Sequence, residues 1–204
     1  MAVNIVALLP RTGAIVLAVV LLIVSAATIG VINNNEQLRE VRDYDGPTTG
    51  NTLIEDVVEL QGLIVLTQDS AAWLIVMSIG IVIAEAIAIV LIIIDLQGNG
   101  KLIVGILEII FSVLVILSYF ATGIACAAYA AAWGAPPDLC ELAETVLDDP
   151  CDRKPLTATT ALQAVFCLIQ IGVFGVIVVL TILGIVRSRS ESNSEETRRL
   201  DYKT

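Results

Sequence analysis

Two apolar runs decide the reading of this chain: AAWLIVMSIGIVIAEAIAIVLIIIDL at residues 71–96 and KLIVGILEIIFSVLVILSYFATGIACAAYAAAW at residues 101–133. Each is longer than the roughly 20 apolar residues a helix needs to cross a bilayer core. Each is continuous rather than alternating, which excludes the strand pattern of a membrane β-barrel. QGNGK at 97–101 joins them, a turn with two glycines and no room for a domain. The spacing predicts two spanning helices folded back on each other.

Two further runs have the same character, at about 12–33 and 157–186. With 57% hydrophobic residues and a mean hydropathy of +0.89, the chain of 204 residues is too apolar for an ordinary soluble domain. In lipid, only a helix satisfies its own backbone hydrogen bonds within a single span. The expected fold is therefore all-α: an integral membrane four-helix transmembrane bundle over residues 1–187, followed by a polar tail at 188–204. A signal peptide is the competing reading of the start. The first apolar run is long for one, and Arg11 is its sole basic flank, so the run is read as the first span.

The net charge is −10, and residues 34–69 and 135–156 hold 14 of the 21 acids. Seven of the 11 bases fall at the N-terminus, the middle turn or beyond residue 186. By the positive-inside rule both termini and the middle turn are expected in the cytosol, and the two acidic loops on the exoplasmic side. Nucleic-acid binding has no support, because there is no basic patch. There is no histidine, which removes His-based acid–base chemistry and haem ligation by His. No clustered C-x-x-C occurs, so neither metal nor cofactor is expected.

Of the four cysteines, Cys140 and Cys151 lie in the second acidic loop. If that loop is exoplasmic they are expected to close a disulfide; the bland reading is two free thiols. In the first loop, Thr52 and Glu55 have capping-box spacing, and Leu53, Val57, Leu60 and Ile64 share a helical face. This segment reads as an outward extension of the second span, an interfacial helix or a strand. The tail, RSRSESNSEETRRLDYKT, has the polar, mixed-charge composition of many disordered tails.

The sharpest functional clue is one carboxylate in each central span, Glu85 and Glu108. In an antiparallel hairpin they lie about one helical turn apart. An ionised carboxylate in lipid must be protonated, paired or wet. No basic residue is expected deep in any span to neutralise them. The readings are a proton or cation site inside the bundle, or interhelical hydrogen-bonding glue. Glu108, Ser112, Val115, Tyr119, Thr122, Cys126, Tyr129 and Trp133 follow 4-3 spacing, a single polar seam on the third span. Ser78, Glu85, Ala88 and Asp95 supply a matching face on the second.

The segment 121–132 is nearly all small residues, so Gly123 and Ala127 are candidates for close helix packing. Gln163, Cys167 and Gln170 share a face of the fourth span, where glutamine usually hydrogen-bonds a neighbouring helix. Trp73 and Trp133 fall at the outer ends of their spans, as an aromatic belt requires.

CAAYAAAWG at 126–134, a cysteine-containing loop and then DRKPLTATTALQAVF at 152–166 resemble the end of the third and start of the fourth span in MARVEL-type tetraspans. Arg11-Thr12-Gly13 opening the first span resembles the lysosome-associated four-span family. The first resemblance implies membrane apposition, vesicle trafficking or microdomain organisation; the second implies endolysosomal sorting and partnering with transporters. Neither carries catalytic residues. Claudins and tetraspanins fit less well, since their tryptophan–cysteine and C-C-G motifs are missing.

The expectation is a non-catalytic, multi-pass tetraspan of the plasma membrane or an endomembrane. Its partners would be the lipid bilayer, other integral membrane proteins or copies of itself. The alternative is a small ion or proton channel or transporter subunit using Glu85 and Glu108.

Overall fold

The computed structural model describes residues 5–43, 52–94, 99–134 and 154–201. These form α1 (Ile5–Asn34), α2 (Glu36–Arg42), α3 (Thr52–Ile94), α4 (Asn99–Gly134) and α5 (Lys154–Asp201), with no strand among them. Four of the helices are long and apolar enough to cross a membrane, as a multi-pass membrane protein requires. Cys140 and Cys151 lie outside the described residues, as do Asp95 and the side chains of Leu53, Glu55 and Val57.

The helices outrun the expected spans. Residues 52–69 continue the second span as helix, not strand, so α3 has 43 residues. At 1.5 Å per residue it is about 64 Å long, twice the depth of a bilayer core. α5 has 48 residues and continues through 188–201, where a disordered tail was expected. Propagating an existing helix needs no new nucleus, so a polar segment carrying several glutamates and arginines extends it more easily than it could start one. α1 begins at Ile5 and runs through Pro10, which lies close enough to the start to cost a single ladder bond.

Burial follows a heptad on every span. On α1 the buried positions are Arg11, Ala14, Ala18, Leu21, Ser25, Thr28 and Ile32, a strict 3-4 alternation. On α3 they are Leu60, Ile64, Thr67, Ala71, Leu74, Ser78, Ile81 and Glu85. That period is the signature of helices packed side by side with a slight left-handed supercoil. Ser112, Val115, Tyr119, Thr122, Cys126 and Trp133 are all buried on α4, the seam expected from the sequence. Between the seams the exterior is apolar: Ile83, Ile87, Leu114, Leu117, Phe120, Leu168 and Val179 are each more than half exposed. An exterior of this kind is wetted by acyl chains, not water.

The pairing of the helices departs from the expected hairpin. α4 packs most extensively on α5, and α1 packs on both α3 and α5; α3 and α4, consecutive in sequence, touch far less. Glycine explains the choice. A Cβ on Gly123 would stand 3.1 Å from Cys167 Cβ, and one on Gly105 would stand 2.9 Å from Ile185 Cδ1. Both sit on the α4–α5 face, where the missing side chains bring the helices together. Ala127, expected to share this role, is exposed and faces away from the bundle.

Candidate functional site

Glu85 and Glu108 converge on a residue not anticipated as their partner. Arg11 Nη1 donates to Glu85 Oε2 at 3.1 Å, and Arg11 Nη2 donates to Glu108 Oε1. One guanidinium therefore ties α1 to α3 and α4 at once. Arg11 is 5% exposed and Glu85 2%; Glu108 is the most open of the three. The expectation that no base lies deep in a span is corrected here. It rested on placing the first span at residue 12, whereas the helix begins two turns earlier and carries Arg11 inside. On α3 the lipid-exposed Ile83, Ile87, Val90 and Ile94 flank Glu85 on both sides, so the triad sits within the apolar belt.

Arg11 was legible by register. Counting from Ser25 and Thr28, the other polar residues of the same face, Arg11 is two heptads before Ser25. Arginine is charged under all conditions, and it offers donors to two carboxylates at once. One guanidinium against two carboxylates leaves one unit of negative charge, which a low-dielectric site must neutralise with a proton or a cation.

Beyond the triad, toward the N-terminal end of α3, polar side chains stack in layers between the helices. Gln170 Nε2 donates to the Ala14 carbonyl at 3.0 Å. Tyr119 lies against Ser78 and Gln170. Ser112 lies one turn from Glu108 on the same buried face. Then Gln163 Nε2 donates to Ser25 Oγ and Thr28 Oγ1, both at 3.2 Å, while its Oε1 accepts from Cys126 Sγ at 3.7 Å. Gln163 thus joins α5 to α1 and α4. Cys126 and Cys167 are buried and not disulfide-bonded.

The tryptophans do not form one belt. Trp133 is buried and donates Nε1 to Thr67 Oγ1 at 3.1 Å, so it belongs to the core at the C-terminal end of α4. Trp73 is exposed and donates Nε1 to Ser118 Oγ at 3.3 Å. Ser118 and Trp133 are fifteen residues apart on α4, about 22 Å along the axis. Near the Thr67 end of α3, Arg42 closes the layer. Its guanidinium donates to Asn33 and Gln68 and pairs with Asp43, and Gln61 donates to its carbonyl. The Arg42 hydrogen bonds hold the Asp43 carboxyl below its ordinary range.

Among the described residues, the interior polar side chains bind one another and the backbone and so orient the helices. Among the described residues there is no group of three or more His, Cys, Asp or Glu side chains that would hold a metal ion. No protein-family model, curated protein or solved structure matches the chain.

Proposed function

We propose that this protein is a non-catalytic tetraspan that organises membranes or accompanies other integral proteins through lateral helix packing. The supporting observation is the division of its surfaces. Most polar side chains of the spans turn inward and join helix to helix, while the bilayer-facing exterior is largely apolar and, on the outer half of α4, small: Ala121, Ala127, Ala128, Ala131 and Ala132 are exposed. Small residues on a lipid-facing helix allow a partner helix to approach closely. α3 and α5 also run well beyond a bilayer's depth and offer rigid arms in the two aqueous compartments.

In this reading both termini are cytosolic and the acidic loops exoplasmic, with a Cys140–Cys151 disulfide in the second. Membrane apposition, trafficking or partnering with transporters, as the MARVEL-type and lysosome-associated resemblances imply, are the roles in view, at the plasma membrane or an endomembrane. Purification in mild detergent after in-membrane crosslinking tests it. A defined partner or self-oligomer is expected, and Ala128→Phe should weaken it; a chain that stays alone under both conditions overturns the reading. Non-reducing peptide mapping should recover Cys140 linked to Cys151, and alkylation of both would reverse the orientation.

One observation favours a second reading, ion or proton handling: the surplus carboxylate of the Arg11 triad. Flux in proteoliposomes that disappears in Glu85→Gln and Glu108→Gln, with the bundle intact, would replace the first reading with this one.

A further inference from the structure

The Arg11 triad is enclosed by helix surface that carries no other charge. Arg11 is the only ionisable side chain of α1. Glu85 is the only one of α3 between Ser70 and Ile94, and Glu108 the only one of α4 between Leu102 and Ser118. α5 meets this part of α4 with Phe174, Thr181 and Ile185, and nothing ionisable lies between Cys167 and Arg187. Tyr119 stands three turns further along α4 and is hydrogen-bonded to Ser78 and Gln170. The charge of the region is therefore set by three side chains, one basic and two acidic.

Arg11 keeps its charge under all conditions. Its Nη1 donates to Glu85 Oε2 at 3.1 Å and its Nη2 to Glu108 Oε1, so both carboxyls crowd one guanidinium. Like charges held that close in a low-dielectric interior do not both ionise cheaply. The surplus negative unit calls for a positive one, and the geometry selects its kind. A metal cation needs several oxygen ligands. Arg11 already engages one oxygen of each carboxyl, and a metal ion there would sit beside a like-charged guanidinium. A proton needs a single oxygen, and the neutral acid still accepts the guanidinium's hydrogen bond through its other oxygen. We propose that Glu85 and Glu108 hold one proton between them at neutral pH, which makes the triad a proton-binding site. Uptake turns one carboxylate into one carboxylic acid and takes the triad from one negative unit to none. The proton enters and leaves at Glu108, whose side chain is 17% exposed against 3% for Glu85. This rests on the surplus carboxylate that favours the second reading above and names its ligand; it requires binding, not flux.

Infrared spectroscopy of the full chain in neutral-lipid nanodiscs tests it, because the carbonyl stretch of a neutral acid is separate from the bands of an ionised carboxylate. One neutral side-chain acid per chain is expected at neutral pH, with its band shifted by exchange into deuterated water. Glu85→Gln and Glu108→Gln should each remove the band, since Arg11 then matches the remaining carboxylate one to one. Should these variants misfold, carbon-13 NMR of the unaltered chain, labelled at glutamate, counts neutral carboxyls directly, and one is expected. The unfolding midpoint of the unaltered chain should fall as pH rises through the interval in which the unfolded chain has ionised and the folded chain has not. Glu108→Gln should lose that dependence. Absence of a neutral acid from the unaltered chain at neutral pH would overturn the proposal, and so would a band that survives in both glutamine variants. Flux in proteoliposomes separates this site from the second reading. A neutral acid without flux supports the proposal and ends that reading; flux without a neutral acid ends the proposal and assigns the neutralising charge to another ion.

Discussion

The α4–α5 and α3–α4 seams are built from opposite materials. Along α4–α5 the helices close on glycine, with Gly123 against Cys167 and Gly105 against Ile185, and Phe111 meets Phe174 edge-on at 6.5 Å. Along α3–α4 the packing is sparse, and the connections are polar: Arg11 bridging Glu85 to Glu108, Trp73 to Ser118 and Trp133 to Thr67. Dispersion contacts are many and individually weak, so a packed seam degrades gradually. A polar tie is one contact whose loss also strands its partner in a medium without water. The sequence-adjacent pair of helices is therefore the one most exposed to single substitutions.

The sharpest way to break that contrast is at Arg11. Arg11→Met leaves two buried carboxylates uncompensated and should destabilise the bundle by about 3–5 kcal/mol in unfolding assays in nanodiscs. The triple change Arg11→Met, Glu85→Leu, Glu108→Leu should recover most of that loss, because a well-packed apolar replacement of a buried ion pair is often neutral. A silent Arg11→Met would show that the triad does not hold the seam.

The packed seam responds to volume. Gly123→Leu should cost about 1–3 kcal/mol by forcing α4 from α5. Ala127→Leu, four residues along the same helix, should leave the midpoint unchanged because it faces outward. Equal effects at the two positions would contradict the packing. Gln163→Leu removes the bonds to the Ser25 and Thr28 hydroxyls, of which Thr28 keeps its bond to the Val24 carbonyl, and a loss of about 1 kcal/mol is expected, in the range of interhelical hydrogen bonds in lipid.

The smallest effect belongs to Arg42–Asp43, which is solvent-exposed. The lowered Asp43 carboxyl gives whatever stability it has above the usual aspartate range, and loses it as pH falls through its own lower value. Asp43→Asn should leave the neutral-pH midpoint unchanged, and the slight pH dependence it removes should lie only on the acid side.

Much of this was legible in the amino acids alone. The four spans follow from the length of the apolar runs, and the α4 seam from the 4-3 spacing of Ser112, Tyr119, Cys126 and Trp133. Arg11 was misplaced because hydropathy marks where apolar residues begin, not where a helix begins. The arm at 52–69 was ambiguous because Val, Ile and Thr suit strand and helix alike until a neighbour is present. Ala127 and Gly123 look alike in composition; only the azimuth of α4 against α5 separates them.

Composition and periodicity by themselves determined the solvent of each segment and which side chains share a helical face, because both are local properties of one chain stretch. Which face meets which was decided by tertiary structure. Pairing depends on how closely two backbones approach, and that is set by residues far apart in sequence, such as Gly123 with Cys167. The same holds for the charges. Arg11, Glu85 and Glu108 are 74 and 97 residues apart along the chain, and only the closed bundle brings them to one point where the cost of burying each is offset by the others.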